Sequence, residues 1–138
     1  MLKPAETGRT VKRLVAVTVA LTALTILHDL DHVRQGRSLA VHLDVVGAVS
    51  LVSLAVTLIV LRRRHPLAGM VAVAQGIATV VGVGVVHAAP YWSSLADSYG
   101  AAHVDALSWA VILAMMAAGA VLAVLAWPTA RRPNLMHR

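Results

Sequence analysis

Residues 11–32 read VKRLVAVTVALTALTILHDLDH: two cations, an apolar run to Leu27 interrupted only by Thr18, Thr22 and Thr25, then His28, Asp29, Leu30, Asp31 and His32. A helix needs ~20 apolar residues to cross ~30 Å of hydrocarbon, so Val11–Leu27 alone is short. The helix must therefore continue through the HDLDH run. It then carries two imidazoles and two carboxylates to a bilayer boundary, where such groups are costly to hold unless they share a partner.

Three further apolar stretches follow, at about Leu39–Leu61, Pro66–Val86 and Ala106–Trp127. Their residues run continuously apolar instead of alternating, which excludes a β-barrel. The reading is an all-α integral membrane protein, a compact four-transmembrane-helix bundle forming a single membrane domain over residues 1–138. Helices are expected at about 11–33, 38–61, 66–88 and 103–127, with an external loop at 89–102.

Composition agrees. A chain of 138 residues that is 59% hydrophobic, with a mean hydropathy of +0.77, carries more apolar surface than a soluble domain of that size can hide. Lipid is the expected partner. The isoelectric point near 11.2 comes from short basic clusters beside apolar spans, which suit topology and anionic lipid better than nucleic acid. Cysteine is absent, so disulfides, thiolate ligands and thiol redox chemistry are excluded. Arg-heavy, Lys-poor and Ala/Val-rich usage points to a GC-rich bacterial genome, hence to a multi-pass protein of the inner or plasma membrane. The first apolar run exceeds a typical signal-peptide core and has no clear small-residue cleavage site, so it reads as a retained helix.

Orientation follows from the cations. Lys3, Arg9, Lys12 and Arg13 precede the first stretch, Arg62–Arg64 separate the second from the third, and Arg131, Arg132 and Arg138 follow the fourth. Only Arg34 and Arg37 lie at the other ends. The positive-inside rule places both termini in the cytoplasm and the His/Asp ends outside.

Residues 1–10 read as a mobile tail. Ser38 is a plausible N-cap, Pro66 suits a first helical turn and Pro90 stops the third helix. Helix 4 is expected to end at Trp127–Pro128. Tyr91, Trp92 and Tyr99 have the amphipathic rings of an interfacial belt, in a loop long enough to cover the polar cluster like a lid. The hairpins also correspond: His28 precedes His42-x-Asp44 by 14 residues, and His87 precedes His103-x-Asp105 by 16. This reads as two parallel hairpin repeats, with chance as the alternative.

The candidate metal ligands are His28, Asp31, His32, His42, Asp44, His87, His103 and Asp105. His28 and His32 are i,i+4 neighbours with Asp31 on the same face. In a regular helix each HxD pair would point to opposite sides, so those pairs converge only if the turn is extended or frayed; otherwise the aspartates serve as helix N-terminal charges or as outer-sphere acceptors. Asp29 and Asp105 are the candidate proton acceptors. His65 and His137, at the other end, read as structural. Imidazole and carboxylate without thiolate favour transition-metal ions, Zn or Fe/Mn first, and the ligand count suits two metals; haem b is the alternative cofactor.

The HDLDH run resembles, over its five residues, the His-Asp-His signature of nickel/cobalt permeases, with different spacing and in a shorter chain; the resemblance implies metal handling. The interior opposes transport, because Gln75 is its only amide, accompanied by Ser50, Ser53, Thr57 and Thr79. Gly76, Gly82, Gly84 and the stretch Ala114–Ala120 predict close backbone packing. The functional expectation is a membrane metalloprotein with an outward-facing His/Asp centre, a metal-dependent hydrolase or oxidoreductase acting on a small or lipidic substrate. Metal transport is the alternative, a haem electron carrier comes third, and a homo-oligomer is compatible with each.

Overall fold

The computed structural model describes residues 4–36, 41–90 and 97–131, with side chains outside 4–7, 41–44 and 101. Helix α1 spans Pro4–Arg34, α2 Val41–Arg62, α3 Ala68–Val83, α4 Tyr99–Ala102 and α5 Ala106–Ala130. A π-helical turn, Gly84–Ala88, extends α3. No strand occurs among the described residues. Four segments are long and apolar enough to cross a membrane: Gly8–Arg34, Val45–Arg62, Ala68–Ala88 and Ala106–Ala130.

The helix limits depart from expectation where local chemistry decides. Residues 4–10, expected as a mobile tail, are helical, and Pro4 takes the first helical position, where its missing N–H costs nothing. The last long helix begins at Ala106 instead of residue 103, because His103 adopts φ +49°, a left-handed conformation that interrupts the chain. Asp105 then caps α5 by accepting from the Ser108 N–H. At the far end α5 passes Pro128 and stops at Ala130. Ser38, Arg37, Tyr91 and Trp92 lie outside the described residues.

Two stripes of heptad spacing build the core. On α1 Val11, Leu14, Thr18, Leu21, Thr25, His28 and His32 are buried and alternate by three and four, with Asp31 buried beside the last of them. On α5 Ser108, Ile112, Met115, Gly119, Leu122, Ala126 and Thr129 follow the same rhythm, with Val111 buried beside them. Thr18 and Thr25 donate their hydroxyls to the carbonyls of Leu14 and Leu21, so the threonines of the stripe are satisfied within the helix.

Helix α3 approaches α5 closely through glycine. A Cβ on Gly76 would lie 2.4 Å from the Gly119 carbonyl oxygen, and one on Gly69 would lie 2.5 Å from the Ala130 nitrogen. Helix α2 packs more loosely: Leu54, Thr57 and Leu61 are its buried positions among the described side chains. The hairpins therefore differ in packing, α3 and α5 in backbone contact, α1 and α2 leaving space between α2 and α3.

Candidate metal centre

The α1 core stripe ends in His28 and His32, so the rhythm that seats Leu14 and Leu21 also turns these two imidazoles inward. The π turn supplies the third. Its wider winding, closed by the Ala89 N–H to the Gly84 carbonyl (2.9 Å), carries His87 into the same space. Ring centroids of His28 lie 4.6 Å from His32 and 4.7 Å from His87, with edge-to-face geometry. All three side chains are buried, and each offers a nitrogen within 4.8 Å of the others.

Residues 97–99 fold back over this group. The Asp97 N–H donates to the Val86 carbonyl at 2.8 Å, fastening the segment to the end of α3. The Asp97 carboxylate oxygen Oδ2 then lies 3.6 Å from Nδ1 of both His32 and His87, and the His87 Nδ1 is 3.2 Å from the Asp97 carbonyl. The Tyr99 hydroxyl is 3.4 Å from the His28 Nδ1. Each Nδ1 thus has an oxygen within 3.6 Å, an arrangement that would favour Nε2 as the nitrogen offered to an ion. Nε2 of His28 and Nε2 of His32 are 3.3 Å apart. Two imidazole nitrogens each ~2.05 Å from a tetrahedral ion are separated by ~3.4 Å, so this pair already has the bite of a metal site. The widest pair would close by at most roughly 1.4 Å.

The remaining candidates divide. Asp31 leaves the histidine face: its carboxylate accepts from Arg34 Nε at 2.7 Å and Gln35 Nε2 at 2.6 Å. Asp105 pairs with Arg34 Nη2 at 2.8 Å and accepts from the Ser108 hydroxyl at 3.0 Å. Through Arg34 and Gln35 these carboxylates belong to a network between the end of α1 and the start of α5, and neither is in the three-histidine group. The Ser108 N–H and then the Arg34 guanidinium hold the exposed Asp105 carboxyl below the usual carboxylate range, so it is anionic and a poor proton acceptor. His103 is exposed and stands outside the histidine group. His42 and Asp44 belong to α2, but their side chains lie outside the description. Asp29 is half-buried, with its carboxylate against Gly47 of α2 at the edge of a cleft that also reaches His28, His32 and His87.

Asp97 and Tyr99 are the residues that sequence reasoning missed. Tyr99, expected in an interfacial belt, is fully buried, in ring contact with all three histidines and with Trp109. Within the loop expected to cover the polar cluster, residues 97–99 lie against the histidines, and 91–96 lie outside the described residues. The signal was an aspartate two residues before a tyrosine in the long segment between the third and fourth apolar stretches, which hydropathy cannot tell from any polar turn. Neither a family model, nor a curated protein, nor a solved structure matches this chain.

Proposed function

We propose that the protein is a four-span membrane metalloenzyme whose metal is held by His28, His32 and His87, with Asp97 and Tyr99 orienting the imidazoles. The observation that carries this is the convergence of three buried histidines whose Nδ1 atoms all face oxygen partners. Three protein ligands leave a position open, the pattern of catalytic centres and not of closed structural ones. A metal bound there would supply Lewis acidity or redox capacity. The donor set suits Zn or Fe/Mn. Asp29, at the edge of the cleft, is the carboxylate placed to take a proton from a substrate there. A bis-histidine haem is disfavoured, because the ring centroids, 4.6, 4.7 and 5.6 Å apart, are too close to stand on opposite faces of a macrocycle.

Transport is the second reading, favoured by Thr25, Ser50, Ser53, Thr57, Gln75 and Thr79 along the cleft. The hydroxyls on this track donate to their own helices, for example Thr57 to the Ser53 carbonyl at 2.8 Å and Thr79 to the Gln75 carbonyl at 3.0 Å. Beyond them Leu14, Leu61, Ala68, Ala72 and Ala126 pack without exposure. An ion would meet that apolar plug unsolvated. Reconstituted protein is therefore expected to retain metal through gel filtration and to accumulate none inside proteoliposomes. Saturable uptake abolished by Gln75→Leu would replace the enzyme reading with transport.

Sidedness in this proposal follows the cations, with the histidine end outside the cytoplasm. The cysteine-free sequence permits a clean test. In intact cells, a single cysteine replacing the exposed Ala102 should react with an impermeant maleimide, and one replacing Arg63 should not. The reverse labelling would turn the site toward the cytoplasm.

A further inference from the structure

The same cleft assigns a class of substrate. It encloses about 690 Å³ between α1, α2 and α3, with Met115 of α5 at its back. That volume is typical of a site for one small organic molecule. Along α3 it runs from His87 to Val71, which at 1.5 Å per residue is about 24 Å, most of a hydrocarbon layer. Its wall is mainly apolar. One end is not, for there His28, His32, His87 and Asp29 come together.

The cleft exists because side chains are small where α3 faces α2. Ala74, Ala78 and Gly82 recur every four residues on α3, opposite Gly47, Ser50 and Ser53 on α2. A Cβ added at Gly82 would meet nothing within 4 Å, whereas one at Gly76, on the α5 side of the same helix, would strike backbone. The side toward α2 is also open: Ala74, Ala78 and Gly82 are exposed, and so are Val46, Val49 and Val56 across from them. In a bilayer that opening faces lipid tails instead of water.

We propose that this cleft admits, sideways from the membrane, the apolar chain of a single-chain amphiphile whose oxygen-bearing head is delivered to the three histidines. The proposal rests on the metal-centre reading, because the head must find an acceptor there. The length and apolar wall fit one extended chain, and the polar end fits a head that can ligate an ion. A water-soluble substrate would need neither feature.

Native mass spectrometry of the detergent-solubilised full chain tests this, since bound metal and bound amphiphile add separate masses. The probes are dodecanohydroxamic acid and acetohydroxamic acid, which share a metal-binding head and differ in chain. The metal-loaded protein should retain the dodecyl probe at least about a hundredfold better than the acetyl one, because each buried methylene adds to affinity. Gly82→Leu and, independently, Ala78→Phe should reduce dodecyl retention by about tenfold or more while the metal mass stays. Metal binding with equal retention of both probes, or dodecyl retention untouched by both variants, overturns the proposal. Dodecyl retention that responds to the variants in protein carrying no metal keeps the amphiphile cleft and removes the metal centre. Loss of both signals from the native protein removes both.

Discussion

His28→Ala, His32→Ala and His87→Ala are each expected to lower the metal affinity of the purified protein by more than about a hundredfold, since each removes one of the three imidazoles that converge among the described residues to form the proposed site. After gel filtration such variants should keep less than about a tenth of the native metal by elemental analysis. Asp97→Asn preserves volume but withdraws the charge beside two Nδ1 atoms, so a smaller loss, about 10–100-fold, is expected. A chelator titration resolves that grade. His103→Ala and His65→Ala should match the native protein, because neither joins the histidine group. Equal metal in the His87→Ala and His65→Ala proteins would reduce the cluster to a hydrogen-bonded polar knot.

Gly76→Leu is expected to destabilise the bundle by about 3 kcal/mol or more, at the upper end for overpacking. The contact it breaks is backbone on backbone: its Cβ would sit 2.4 Å from the Gly119 carbonyl and 2.7 Å from the Ala123 nitrogen. No rotamer relieves such a clash, so α3 and α5 must separate along their whole seam. Gly82→Ala, six residues along the same helix but facing open space, should be neutral or stabilising by up to about 1 kcal/mol, the ordinary helix-propensity gain. Reversible unfolding in mixed micelles compares the pair. Similar stability in the two variants would show that the α3–α5 seam is not the close contact described.

Much of the fold was legible because a span is a local property. Continuous apolar runs of sufficient length, broken by Arg62–Arg64, Pro66 and Pro90, locate four long helices, although α1 begins at Pro4, ahead of the expected residue 11. The i,i+4 spacing of His28 and His32 was legible too, since a single helix fixes it. The deeper signal went unread: the two histidines complete a heptad stripe beginning at Val11, which sends them into the core and not to the lipid.

Which polar groups meet at that end was beyond the sequence. Four helix ends carry histidine, and hydropathy ranks them alike. The wider π turn brings His87 inward, while a left-handed residue leaves His103 outside. Arg34 draws Asp31 and Asp105 into a bond between α1 and α5, because a carboxylate goes to the nearest well-oriented guanidinium and not to the nearest histidine in sequence. Asp97 and Tyr99 reach the histidines only because a backbone hydrogen bond to Val86 folds the loop onto α3. The sequence by itself determined four apolar helices with ligand-type side chains gathered at one end, since length and hydropathy are sums over neighbours along the chain. The tertiary structure alone decided that three histidines, an aspartate and a tyrosine come together there, since that depends on how each helix is rotated about its axis and where each loop returns.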